Sequence, residues 1–139
     1  MADVFTRAKR SAVMSRIRAR GNRDTELRMI QIFRATGITG WRRNAKVFGK
    51  PDFIFPQGRV AVFVDGCFWH RHPGCKFAYL PKTRREFWLK KFKSNVARDK
   101  VVIQTLREAG WRTLRIWECN LTRTRQLQVA ARVKRALSR

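Results

Sequence analysis

Both histidines and two of the three cysteines of this chain fall within nine residues, Cys67-Phe-Trp-His-Arg-His-Pro-Gly-Cys75. Thiolate and imidazole are the donors that hold zinc, and an imidazole also moves protons near neutral pH. Cys67, His72 and Cys75 are separated by four and two intervening residues, and Cys119 lies at the end of a later apolar segment. If the segments at 60–64 and 113–117 are neighbouring strands, all four donors converge at one end of a sheet as a tetrahedral structural zinc site. This is not zinc-finger spacing, and the alternative is that Cys67 and Cys119 are ordinary buried thiols. Use of every cysteine and one of two histidines favours zinc. His70, two residues from His72, then faces elsewhere and is free to activate water. The alternative is a DNA-contacting or metal-supporting histidine.

Four acids qualify as partners. Asp52 follows Pro51 at the start of one short apolar segment, and Asp65 ends the next. If the two strands pair, Asp52 and Asp65 come within reach of one hard cation, the ion that phosphodiester cleavage needs to polarise phosphate and bind water. Either aspartate alone also suits a turn or cap. Glu26 shares a helical face with Met29, Ile30 and Phe33, which fits either a catalytic acid or an acid favoured by the helix dipole. Asp99 occupies a position that the apolar period of its helix assigns to the core, so it requires a partner, histidine or arginine. Phe68 and Trp69 are adjacent bulky aromatics in the same loop, with Trp88 a candidate to join them. Apolar side chains that wedge between base steps prise a duplex open, and core packing is the alternative for any one of them.

These residues need a scaffold, and the pattern outlines one. A helix is predicted over 24–36, closed by Gly37. A strand follows over Trp41–Phe48. Strands at Asp52–Phe55 and Arg59–Val64 form an antiparallel hairpin through Pro56-Gln57-Gly58. Val60–Val64 is apolar on both faces and so belongs at the centre of a sheet covered on both sides. Thr83-Arg-Arg-Glu86 is a capping-box pattern, predicting a helix from Arg84 to Ala109 whose buried stripe is Leu89, Phe92, Val96, Asp99, Ile103 and Leu106. A strand over Trp111–Trp117 and a basic amphipathic helix from Arg123 to Leu137 complete the chain.

At 139 residues a single domain is expected, and 44% apolar residues with five tryptophans and ten phenylalanines suffice for a real core. The charge is extreme: 33 Lys+Arg against 9 Asp+Glu gives +24. Phosphate backbone is the natural partner of such a surface, through counterion release. No segment is apolar enough to span a membrane. Residues 1–21 are basic and mixed, without the apolar run of a signal peptide, and are expected to form an arm tracking nucleic acid or a solvated terminus. Residues 22–139 form the single domain.

Taken together, Pro51-Asp52-Phe53-Ile54-Phe55 and Ala61-Val-Phe-Val-Asp65-Gly-Cys-Phe-Trp-His70 resemble the very short patch repair (Vsr) endonucleases. The resemblance includes Arg10-Ser11, Met14-Ser15 and Ile17, then Phe87-Trp88, Asn95-Val96, Arg98-Asp99, Gly110-Trp111 and Trp117-Glu118-Cys119. It implies an α/β chain with a three-layer α/β/α restriction-endonuclease-like fold, a mixed central sheet and a structural zinc. It implies Mg²⁺-dependent nicking of duplex DNA 5′ to the T of a T:G mismatch, the product of 5-methylcytosine deamination. On this resemblance Asp52 binds magnesium with the Val64 carbonyl, and His70 activates water. Glu26 supports the metal-water cluster, and Asp99 is a buried acid hydrogen-bonded in the site. Phe68, Trp69 and Trp88 form the aromatic wedge, while Cys67, His72, Cys75 and Cys119 hold zinc. Asp65-Gly66-Cys67 lacks the superfamily's usual lysine, which leaves water activation to His70. Some members have histidine where Asp65 stands, so Asp65 is either a metal ligand or a histidine partner. A cytoplasmic, nucleoid-associated bacterial monomer is expected, with a functional link to a DNA cytosine methyltransferase and mismatch-repair proteins left open. Two other classes compete: a catalytically inactive zinc-containing module for distorted DNA, and an RNA-binding protein.

Overall fold

The computed structural model describes residues 25–138. The basic arm at 1–21, with its Arg10–Ile17 motif, lies outside the described residues. Helix α1 covers residues 25–36 and ends at Gly37, whose φ of 72° lets Ile38 N–H bond back to Phe33 C=O at 2.9 Å. That six-to-one closure is the Schellman stop, and it requires the left-handed conformation that glycine adopts without strain. Four strands follow as one sheet in the order β1 (Arg42–Arg43), β2 (Phe53–Phe55), β3 (Val60–Asp65) and β4 (Arg112–Trp117). The first two pairings are antiparallel and β3–β4 is parallel, so the sheet is mixed. A parallel pair needs a crossover, and helix α2 (Arg85–Glu108) supplies it. A 3-10 turn (Glu118–Asn120) and helix α3 (Gln126–Leu137) end the described chain.

Strand alternation sorts the two faces of the sheet. Val60, Val62 and Val64 of β3 and Ile116 of β4 join Phe33 of α1 and Val129 and Val133 of α3 in one core. Phe33 is fully buried, edge-on to Phe53 at 5.2 Å and to Phe55 at 5.8 Å, and burial of each such ring contributes roughly 1.5–3 kcal/mol. The alternate residues Asp65 and Arg115 point to the opposite face, where α2 brings Asp99 against them. Helices therefore cover both faces, as the two-sided apolar run of β3 requires.

Four local expectations give way. The strand expected over Trp41–Phe48 is only Arg42–Arg43, because Asn44, directly after it, turns left-handed at φ 55° and breaks the extended run. The capping box of Thr83 and Glu86 does not form: Arg84 is left-handed at φ 54° and no side chain caps α2. Leu89 lies 50% exposed at the start of α2 instead of in its buried stripe. Finally, α3 starts at Gln126, after a turn in which Arg125 N–H bonds Thr122 C=O at 3.0 Å.

Candidate active site and metal centre

Because β2 and β3 are antiparallel, the start of one meets the end of the other, and this junction brings Asp52 against Val64. Val64 N–H donates to Asp52 Oδ2 at 2.7 Å. Burial pushes the Asp52 carboxyl up to about 7, reinforced by the charges of Asp65 and Glu26 and opposed by the Val64 amide. Glu26 arrives from α1 and accepts a hydrogen bond from Arg43 Nη2 of β1. An acid held this far above its ordinary 3.8 contributes stability that is complete below that value and is lost as pH rises through about 7. Asp52→Asn, which does not titrate, should therefore gain on wild type between pH 5 and pH 8 by on the order of 2 kcal/mol. Parallel thermal melts at the two pH values check this, and Mg²⁺ at pH 8 should raise the melting temperature of wild type alone. Equal wild-type and variant shifts would sink it.

Beside Asp52, three further elements place their side chains around one imidazole. His70, in the loop after β3, donates from Nδ1 to Asp99 Oδ2 of α2 at 2.7 Å. Its Nε2 lies 3.7 Å from Asp65 Oδ1. Burial disfavours the imidazolium, but the hydrogen bond to Asp99 and the charges of both acids prevail, so the His70 pKa stands above its ordinary value. For Asp99 burial acts upward, and the His70 hydrogen bond and the charges of His70 and Arg115 bring the carboxyl below its usual range. Asp65 stays raised by burial despite His70 and Arg115. Arg115 of β4 donates from Nε to Asp65 Oδ2 at 2.5 Å and from Nη2 to Asp99 Oδ2 at 2.8 Å.

The loop after β3 and the 3-10 turn after β4 bring Cys67, His72, Cys75 and Cys119 together, with one donor atom of each within 4.8 Å of the others. Cys119 Sγ and His72 Nδ1 are 3.4 Å apart. Tetrahedral zinc with sulfur at about 2.3 Å and nitrogen at about 2.0 Å sets its ligands roughly 3.5–3.8 Å apart, so this donor set fits such an ion. The parallel register that pairs Asp65 with Trp117 is what aligns Cys67 with Cys119. Burial pushes the Cys67 thiol up to about 12, with the neighbouring thiols adding to it. The amides of Phe77 and Ala78 instead lower Cys75. Burial, then the charge of Arg115, lowers His72 and keeps it neutral, the form in which imidazole ligates.

Phe68, Trp69 and Trp88 meet in one cluster, with ring centroids 5.1, 5.5 and 5.9 Å apart. All three are half-buried, so one shared aromatic cluster accommodates the adjacent pair that looked hard to bury together. Asn95 of α2 donates to Trp69 C=O at 3.1 Å. Arg71 lies 3.8 Å over the Phe92 ring and donates to the carbonyls of Phe68, Ala78 and Tyr79, stapling the loop from inside. Phe77, Tyr79, Phe87 and Leu89 add an exposed apolar rim from residues 77–89.

The structure thus gathers Asp52, Asp65, His70, Asp99 and Glu26 at one sheet end, next to the thiol–imidazole cluster and the aromatic group. Asp65, read from the sequence as either a metal ligand or a histidine partner, bonds Arg115 and lies 3.7 Å from His70. Sequence reasoning offered histidine or arginine for Asp99, and Asp99 has both. Arg115, Arg71 and Trp117 were missed. The available signal for Arg115 was a charge set between the apolar Leu114 and Ile116 on the predicted strand Trp111–Trp117.

Residues 2–76 match the family profile of the DNA mismatch endonuclease Vsr. The DNA mismatch endonuclease Vsr of Escherichia coli is 43% identical, over 87% of this chain and 76% of its own length. The type II nicking enzyme V.XorIIP of Xanthomonas oryzae pv. oryzae is 34% identical over 88% of each chain. The type II nicking enzyme V.NmeDIP of Neisseria meningitidis serogroup C is 33% identical over 99% of this chain and 95% of its own. With this similarity running through the segments that carry Asp52, His70 and the thiol–imidazole loop, the chain belongs to the Vsr family of DNA mismatch endonucleases.

Proposed function

We propose that this DNA endonuclease nicks duplex DNA 5′ to the T of a T:G mismatch left by deamination of 5-methylcytosine. The observation that carries the reading is the junction of Asp52 with the Val64 amide, set beside the His70–Asp99 pair at the same sheet end as the aromatic cluster. Asp52 and the Val64 carbonyl are the hard-oxygen donors for magnesium. The register pairs Phe53 with Val62, so Pro51 falls opposite Val64, and proline has no N–H to offer the Val64 carbonyl. That carbonyl points to the same strand edge as the amide already bonded to Asp52, which supports its part in the ligand set. Bound magnesium supplies charge stabilisation of the scissile phosphate and a more acidic water.

The chain's own groups then divide the work. His70 holds its Nδ1 proton in a hydrogen bond to Asp99 and keeps Nε2 for the proton of the attacking water, and its raised pKa makes it a stronger base. Asp65 flanks that nitrogen, and Glu26 orients the water around Asp52. Phe68, Trp69 and Trp88 enter the stack at the mismatch, and the exposed rim at Phe77, Tyr79 and Phe87 supports an apolar contact with bases. Cys67, His72, Cys75 and Cys119 hold a structural zinc that pins the wedge loop onto a restriction-endonuclease-like fold. Among the described residues no helix is long and apolar enough to cross a membrane. We place the protein in the bacterial cytoplasm, as a monomer at the nucleoid, with a functional link to a cytosine methyltransferase and mismatch-repair proteins.

The test is a nicking assay on T:G and matched T:A duplexes with varied flanks, run beside gel shifts on the same substrates. Nicking of the T strand, dependent on Mg²⁺ and confined to T:G, is expected. Tight binding of the mismatch without incision would instead indicate an inactive binding module.

A further inference from the structure

Four side chains from the wedge loop, α2 and the ends of β3 and β4 close a ring. His70 Nδ1–H donates to Asp99 Oδ2 at 2.7 Å, and the same oxygen accepts from Arg115 Nη2 at 2.8 Å. Arg115 Nε donates to Asp65 Oδ2 at 2.5 Å, and Asp65 Oδ1 returns to within 3.7 Å of His70 Nε2. We propose that Arg115 is a positioning residue for DNA cleavage, holding Asp65 and Asp99 on either side of His70. The proposal rests on the reading of Asp52 and His70 as the cleavage centre.

Two carboxylates gathered around one imidazole repel each other, and a planar cation with donors on two edges offsets that repulsion while setting their directions. Arg115 spends one edge on each acid, a division that a lysine ammonium cannot reproduce with the same geometry. Without it, Asp99 Oδ2 keeps only its His70 donor and Asp65 is free to rotate towards Asp52. The guanidinium is itself held from behind. It lies 4.3 Å from the Trp117 ring, and Trp117 stacks on His72 at 4.3 Å with the planes 15° apart. Arg132 Nη2 of α3 donates to the Arg115 carbonyl at 2.9 Å, fixing the strand beneath the side chain. Arg115 therefore couples the ring around His70 to the loop that the thiol–imidazole cluster closes.

The experiment compares wild type, R115M and R115K in single-turnover nicking of a T:G duplex at saturating protein, with DNA affinity measured separately by titration. R115M keeps the bulk and removes the fork, and R115K keeps the charge. Misplacing a catalytic group by about 1 Å costs on the order of 10²-fold, so R115M should nick roughly 10–100-fold more slowly at unchanged affinity for DNA. R115K should fall between R115M and wild type. A melt of each variant above the assay temperature separates slow chemistry from lost folding, since a purely structural role would leave the rate per folded molecule unchanged. A wild-type rate in R115M, or a slowdown due wholly to weaker DNA binding, would overturn the proposal. Absence of nicking by the wild type would overturn the underlying reading instead.

Discussion

Asp52→Ala and His70→Ala are each expected to leave a folded, DNA-binding protein that no longer nicks T:G duplexes. Loss of a general base alone costs roughly 10²–10⁴-fold, so His70→Ala should fall in that range. Asp52→Ala should fall further, because it removes the carboxylate at the centre of the proposed cation site and leaves the Val64 amide without its acceptor. Neither change should unfold the chain. Removing Asp52 relieves a buried acid already pushed up to about 7, and His70 is only half-buried. Single-turnover rates under saturating Mg²⁺, with circular dichroism on the same samples, measure both halves of the statement. A His70→Ala enzyme that nicks at the wild-type rate would remove the imidazole from the chemistry and leave Asp65 and Asp99 as unexplained acids.

Loss of the zinc proposed for the thiol–imidazole cluster is expected to have the larger effect on stability. Structural zinc sites contribute apparent free energies of about 10–16 kcal/mol, while whole domains are stable by only about 5–15 kcal/mol. Cys119→Ala should therefore lower the zinc content from one per chain to none and melt the protein tens of degrees earlier, or prevent folding at 37 °C. Cys67→Ala should do the same. The buried Cys67 thiol, pushed up to about 12, gives up its proton only to a metal, so zinc uptake should release protons and weaken as pH falls. Metal analysis of purified protein and thermal melts with a zinc-selective chelator provide the readout. A Cys119→Ala protein that retains one zinc per chain, or melts like wild type, would rule the site out.

The parts of the fold legible in the sequence are those where period and burial agree. Val60–Val64 is apolar on both faces and stands in the middle of the sheet, and Gly37 ends α1 where only a left-handed residue closes it. The hairpin through Pro56-Gln57-Gly58 runs as read, except that left-handed Arg59 delays β3 to Val60. Where the chain follows backbone conformation instead of side-chain pattern, reading failed. Asn44, Lys50 and Arg84 take positive φ, which no hydrophobic period reports, and these residues shorten β1 and displace the expected cap of α2. In the site, Asp99 stood out as an acid in an apolar stripe, a conflict that had to have a solution. Arg115 is the other half of that solution. It escaped notice because the parallel register that brings it to Asp99 joins residues 60–65 to 112–117 across a helix, and no local rule carries that distance.

The same parallel register has a consequence for when the enzyme becomes dangerous. Asp52, Asp65 and His70 are synthesised early, but their surroundings depend on Asp99, on Arg115 and on Cys119. A chain emerging from synthesis carries Asp52 long before it carries β4, and pairing strands this far apart in sequence is slow compared with forming a local hairpin. No nascent fragment that stops short of residue 119 holds both the ring and the cluster. On the proposed mechanism, a fragment that lacks β4 holds Asp52 and His70 without Arg115 or Cys119, so full cleavage activity would await the strand that completes their surroundings.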